Sequence, residues 1–322
     1  MRGRYWFMLG AGLAAGLNAC DTGSPTAGID RGGVRTPVSA HGAITGFGSI
    51  IVNGAHYSLD AATVRIDGAL AAEADLALGQ VATIRGTRGA SADRAAAETV
   101  TVTSNVQGPV TAVDVAAHNF SVLGQTVRAS ADTVFDLGGR APAVSSLIGG
   151  EPVRVSGFVA ADGSIEAARI EERAANVELR VTGKVERLSR PAARFEINSL
   201  TVSYSSAAVI EGFPTGEPGE GDEVVVTGRA VTANGMLLAD TLERLPDEAA
   251  LRAGDEFEVE GLITRFVSPQ DFDVAGVAVT TTAGTQYEHG SPSSLTLDLK
   301  VHVSGRVNGA SQREASKVEI DD

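Results

Sequence analysis

The sequence predicts an all-β protein, in which four tandem small five-stranded barrels follow a signal peptide and a flexible tether. One short phrase recurs four times, as Gly79-Gln-Val-Ala-Thr-Ile-Arg-Gly86, Gly150-Glu-Pro-Val-Arg-Val-Ser-Gly157, Gly221-Asp-Glu-Val-Val-Val-Thr-Gly228 and Asp298-Leu-Lys-Val-His-Val-Ser-Gly305. Its apolar residues alternate, which is the period of a half-buried strand, and its glycines are read as turn positions. The closing glycines stand 71, 71 and 77 residues apart, a near-constant step that marks repeated modules. Units of this size sit near the lower limit for an independent core, so each is expected to lean on its neighbour in a rod or packed row.

The amino terminus carries an address. Arg2 and Arg4 precede an apolar run from Tyr5 to Leu17, too short for a membrane span and laid out as a secretory signal. Leu17-Asn-Ala-Cys20 resembles the lipobox of bacterial lipoproteins, which implies that the Cys20 thiol is acylated and becomes the new amino terminus. Cys20 is the only cysteine, so no intramolecular disulfide can form. Asp21 resembles the residue that retains lipoproteins in the inner membrane of some enterobacteria, and inner or outer membrane is left open. The expected segments are a signal peptide over 1–19, a lipidated, flexible tether over 20–40, and modules over 41–105, 106–177, 178–246 and 247–322.

Each module opens on a glycine and an apolar strand, at Gly42, Gly108, Gly183 and Gly261. A second strand turns back at Asn53-Gly54, Leu123-Gly124, Asn198-Ser199 or Ala275-Gly276, the first being a strong two-residue hairpin signal. A short third strand follows, around Thr63–Ile66 in the first module. Ala69–Leu78 is rich enough in Ala and Leu to predict one or two helical turns. The signature strand and a final strand close the module. Five strands with a short helix before the fourth is the order of an OB-like barrel.

Within the signature strand, Ala82/Ile84, Val153/Val155, Val224/Val226 and Val301/Val303 are expected to face the core, and Thr83, Arg154, Val225 and His302 to face outward. Phe120, Phe195 and Phe272 recur where the first module has Ile50, and are read as core anchors. The longer junction from Leu245 to Glu256 is the expected hinge. Gly42-Ala-Ile-Thr-Gly-Phe-Gly-Ser-Ile-Ile-Val-Asn-Gly54, leading to Leu76-Ala-Leu-Gly-Gln-Val-Ala-Thr-Ile-Arg-Gly86, resembles the bacterial family known as domain of unknown function 5666. The resemblance implies a secreted or lipid-anchored, multi-modular protein and no particular activity.

Composition narrows the partners. The formal charge is −14, and a chain this acidic repels phosphate backbones, so nucleic acid is not an expected partner. His41, His56, His118, His289 and His302 show no metal-ligand spacing, and no nucleophile elbow, phosphate loop or dinucleotide fingerprint occurs. The acidic clusters Glu217–Glu223 and Asp247-Glu248 with Asp255-Glu256 lack the spacing of a calcium loop and read as solvated turns. Trp6, the only tryptophan, lies in the signal, which leaves Tyr57, Tyr204 and Tyr287 as candidate stacking residues.

No cofactor, metal site or catalytic residue is expected, and the chain is not expected to be an enzyme. The expected role is that of a lipid-anchored cell-envelope protein, facing periplasm or exterior, which binds a protein partner by presenting loops and strand edges. The alternative is an oligosaccharide- or cation-binding envelope protein, with His56 and Tyr57 as the ligand contacts.

Overall fold

The computed structural model describes residues 35–321 apart from 90, 92, 176 and 246–250, and residues 34–322 form one compact unit. The chain is all-β and contains four barrels of OB-like type. The first contains β1 (Thr36–Gly46), β2 (Ile50–Val52), β3 (Ala55–Ser58), β4 (Thr63–Ile66), β5 (Ala69–Ala71), β6 (Val81–Arg88) and β7 (Arg94–Val102). The second contains β8 (Val106–Asp114), β9 (Asn119–Val122), β10 (Gln125–Asp136), β11 (Pro152–Val159) and β12 (Ile165–Glu172). The third contains β13 (Leu179–Lys184), β14 (Glu186–Ser189), β15 (Arg194–Ile197), β16 (Leu200–Ser203), β17 (Val209–Glu211), β18 (Glu223–Val231) and β19 (Leu237–Arg244). The fourth contains β20 (Glu256–Ser268), β21 (Asp271–Val274), β22 (Val277–Thr280), β23 (Gln286–Glu288), β24 (Lys300–Val307) and β25 (Arg313–Ile320).

Where a stave of a barrel is interrupted, two strands share it, so every barrel has five staves. Stave one pairs antiparallel with staves two and four, stave two with three, and stave four with five, while staves three and five run parallel. In the first barrel this ring is β1–β2–β3–β7–β6 and back to β1. In the second it is β8–β9–β10–β12–β11. The other two repeat it. Closing the sheet on itself removes most of the edges that a small sheet would expose.

The repeated residues do what the alternation predicts. Ala82, Ile84, Val153, Val155, Val224, Val226, Val301 and Val303 are buried, as are Ile50, Phe120, Phe195 and Phe272. The hairpin residues Asn53, Leu123, Asn198 and Ala275 all take a positive φ near 50°. The opening glycines make room for these tips. A Cβ on Gly108 or Gly261 would run into Leu123 or Ala275 respectively.

Several expectations are corrected. The closing glycines are not at turns but in mid-strand, where the ladder between staves four and five shifts register at Gly86, Gly157, Gly228 and Gly305. A Cβ at any of them would overlap the carbonyl oxygen of Ala96, Glu166, Leu238 or Glu314 on the fifth stave. The bulge supplies the coiling that lets a five-stave sheet close. Ala69–Leu78 forms a three-residue strand and one 3-10 turn, Glu73–Asp75, rather than α-helix, because β5 pairs with β4. Part of the expected tether also belongs to the first barrel: β1 begins at Thr36, with Val38 and Ala40 buried.

The barrels do not form a row in chain order. β1 pairs in parallel with β20 from Val38↔Glu256 to His41↔Val259, so the fourth barrel docks on the first. β8 pairs antiparallel with β13 at Gln107↔Arg180 and Val106↔Val181, joining the second to the third. Both seams use the leading half of stave one, which stave two leaves uncovered. The leading edges of all four first staves are thus consumed in pairs.

The second barrel also touches the first and fourth. Phe158 packs with Ala43, Val81 and Leu262, the Lys300 ammonium stands 5.4 Å above its ring, and Asp298 accepts a bond from the Ala161 amide at 2.6 Å. Of the outward positions of the signature strands, Arg154 crosses to Asp67 of the first barrel, Thr83 bonds His41 within the first, and Val225 is buried outside its own barrel core. Of the expected hinge, residues 246–250 lie outside the described residues.

Candidate functional site

Tyr57 occupies a core position. It faces Ile50 across the hairpin, as Val127, Val202 and Val279 face Phe120, Phe195 and Phe272. It is 0% exposed, and its hydroxyl donates to Glu258 of the fourth barrel at 3.2 Å. Arg88 donates to the Tyr57 hydroxyl at 3.4 Å, to Glu258 at 2.6 Å and to Glu256 at 3.2 Å. Burial, then the Glu258 carboxylate, push the phenol well above its ordinary range. The Arg88 guanidinium is buried against its charge, but Glu258 outweighs that and keeps it firmly protonated. This cluster pins the seam between β1 and β20. The expected ligand pair is therefore split, because a phenol in the core cannot stack on a surface ligand. His56 is half-buried beside it in sequence, with Nδ1 3.1 Å from the Ser49 hydroxyl. Cys20 lies outside the described residues.

A second cluster pins the first three barrels together. Asp67, at φ 53° in an Asp-Gly turn, accepts from the Ser104 amide and hydroxyl at 2.8 and 2.7 Å and from Arg154 at 3.3 Å. Burial opposes ionisation of the neighbouring Glu171, but Arg154, Arg173 and Arg169 hold its carboxyl below the usual range. The crevice beside Asp67, Gln80 and Arg154 encloses only about 10 Å³, far below the ~300 Å³ of a small-molecule pocket. Both clusters hold barrels together, with Arg88 Nε and Arg173 Nε buried in them without a hydrogen-bond partner. Among the described residues no group of three or more His, Cys, Asp or Glu is placed to hold a metal ion. In the acidic loop, Glu220 accepts from the Arg187 and Leu188 amides at 2.8 and 2.9 Å, and Asp222 pairs with Arg244 at 3.0 Å. Those carboxylates shape a turn rather than stand free in solvent.

One place breaks the repeat, and it lies in the third barrel. Val64, Phe135, Ile210 and Tyr287 are equivalent, since each faces a fifth-stave residue that itself faces the inner residue of the signature strand: Val100, Ile170, Leu242 and Val318. Val64 is 6% exposed, and Phe135 and Tyr287 pack on their cores, but Ile210 is 38% exposed and its neighbour Val209 39%.

The cause is the connection to stave four. In the other barrels it contains a 3-10 turn and buries Leu76, Val144 with Leu147, or Leu295. In the third barrel the connection is rich in Gly and Pro, has no such turn, and buries Phe213 and Pro218. β17 pairs only with β19, whereas the matching edge of the first barrel carries an extra antiparallel strand, β5.

The charge pattern breaks at the same point. Glu211 faces Glu243, as Asp136 faces Glu171 and Glu288 faces Glu319. In the second barrel Arg169 bridges the pair, at 2.5 Å to Asp136 and 3.2 Å to Glu171. In the fourth Lys317 does so, at 2.8 and 3.0 Å. The matching residue of the third barrel is Thr241, whose hydroxyl lies 2.8 Å from that of Thr227. No described cation forms an ion pair with Glu211 or Glu243; Arg180 acts on Glu243 only through space, and a hydrogen bond to Glu211, then burial and the Glu211 charge, outweigh it and raise the Glu243 carboxyl above its ordinary range. Sequence reasoning missed Val209, Ile210, Glu211 and Glu243. The signal was present in the alignment of the fifth staves, where Arg169 and Lys317 give way to Thr241.

A family model described as Domain of unknown function (DUF5666) matches residues 37–98, 107–171 and 247–319, together more than half of the chain. The third barrel, which has the same ring of staves, lies outside those regions. A solved structure, Drosophila Unr CSD456, is similar at 15% identity over 68% of this chain and 98% of that chain, with a TM-score of 0.17. No curated protein matches.

Proposed function

The chain belongs to the family described as Domain of unknown function (DUF5666), and from that premise we propose that it is a non-catalytic lipoprotein of the bacterial cell envelope. In this reading acylated Cys20 anchors it, the barrel cluster faces the periplasm or exterior, and its function is to hold a protein partner. The lipobox Leu17–Cys20 supports the address. The observation that carries the binding role is the third-stave edge of the third barrel, where an open strand edge, an exposed apolar residue at a core-equivalent position and an unbridged carboxylate pair coincide. The oligosaccharide alternative is weakened, since Tyr57 and Tyr204 are buried and Tyr287 packs against the core of the fourth barrel.

The test is in-cell cross-linking and mass spectrometry with wild-type protein and Cys20→Ala. Wild type is expected in the membrane fraction, cross-linked to one dominant envelope protein, and Cys20→Ala is expected to lose both. A soluble wild type, or a cross-link pattern without a reproducible protein, would sink the proposal.

A further inference from the structure

The edge of the third barrel has a specific deficit, and the sister barrels show what fills it. Where a carboxylate pair spans staves three and five, the second and fourth barrels supply a guanidinium or an ammonium from the fifth stave, through Arg169 and Lys317. The third barrel keeps the pair, as Glu211 and Glu243, and has Thr241 in place of the cation. The apolar position beside it, covered in the other three barrels, is open at Ile210. The strand edge itself is open: among the described residues β17 pairs with β19 alone, as β23 pairs with β25 alone, whereas in the first barrel β5 lies antiparallel to β4 at the corresponding place and shows that this edge can take a further strand.

We propose that β17 is a strand-addition site for an extended basic segment of a partner protein. A lysine or arginine of that segment sits between Glu211 and Glu243, and an apolar side chain covers Ile210. This deepens the scaffold reading and rests on it. Strand addition supplies backbone hydrogen bonds from an edge, and alternate side chains provide the selectivity. The cation repeats inside the complex the contacts that Lys317 makes within the fourth barrel. A second copy of this chain is a poor occupant, because its net charge is also −14 and like charges oppose association.

The test uses the full chain in detergent and two probes, the N-acetylated, C-amidated peptides Val-Lys-Val-Lys-Val and Val-Glu-Val-Glu-Val, with fluorescence anisotropy for affinity and hydrogen exchange at residues 209–211. The basic probe is expected to bind and to protect those amides, more tightly at low salt, and the acidic probe to do neither. Thr241→Lys supplies the internal cation, and is expected to weaken binding of the basic probe at least tenfold while the protein stays folded. It also stabilises the fold at neutral pH: the raised Glu243 carboxyl favours the native state only at acid pH, that contribution is lost as pH rises through its folded pKa, and the new lysine relieves the repulsion from Glu211 that Arg180 offsets only in part. Ile210→Ser is expected to weaken binding without that pH effect.

Absence of protection by the basic probe at millimolar concentration overturns the proposal. So does equal binding of wild type, Thr241→Lys and Ile210→Ser, or calcium chloride alone reproducing the protection, which would make the pair a metal site. If in-cell cross-linking persists unchanged in Thr241→Lys, the scaffold reading survives and this edge is wrong. If cross-linking is absent in wild type while the probe binds, the edge is real and the scaffold reading fails.

Discussion

At the scale of single residues, the repeat is held by a steric requirement. The closing glycines sit opposite a bulge in the fifth stave, and a fifth-stave carbonyl occupies the space a Cβ needs. Gly54, by contrast, sits at a positive φ with nothing near its missing side chain. The two substitutions therefore separate the reasons for a glycine. Gly86→Ala is expected to destabilise by about 3 kcal/mol through the clash with Ala96 and loss of the bulge. Gly54→Ala is expected to cost about 1 kcal/mol, the penalty of the left-handed conformation alone. Urea unfolding of the two variants checks this, and equal costs would mean the bulge yields easily.

Between elements, the β1–β20 seam has an ionic cluster at its buried side. Arg88 and Glu258 are both largely shielded from water and share Tyr57 as a third partner. Removing one charge leaves the other buried without compensation. Arg88→Met or Glu258→Gln alone is thus expected to cost about 3–5 kcal/mol, and Arg88→Met with Glu258→Met far less than their sum. A double-mutant cycle by chemical denaturation measures the difference, and additive costs would show that the pair does not couple. The cluster also explains why Tyr57 was misread. Its two neighbours in sequence suggest a polar hairpin tip, but its place in the repeat is that of Val127, Val202 and Val279. Aligning the modules residue by residue exposes the error. No alignment, however, reveals Glu258, which lies 201 positions away.

On the scale of the whole molecule, the order of barrels in space departs from the order in the chain, because the leading half of each first stave must find a partner. The first barrel finds the fourth, and the second finds the third. Cooperativity should follow the seams rather than the sequence. Phe272→Ala opens a cavity in the fourth barrel, for which about 3–5 kcal/mol is typical. It is expected to speed amide exchange along β1 in the first barrel more than along β18 in the third. Native-state hydrogen exchange reads both, and the reverse ranking would show that chain neighbours couple more strongly than paired staves.

The sequence by itself determined what repeats and local periodicity can determine. It specified four five-stave barrels, the inward residues of each signature strand, the phenylalanine anchors and the hairpin tips, since each depends on neighbours a few residues away or on the same place in the next module. The proposed anchor at Cys20 rests on the sequence alone, since the resemblance of Leu17–Cys20 to a lipobox is local and its reading needs no fold. Only the tertiary structure decided which barrel meets which, because strand pairing across 200 residues leaves no periodic trace. The same reason hides the charges that pin the seams, Glu258 beside Tyr57 among them.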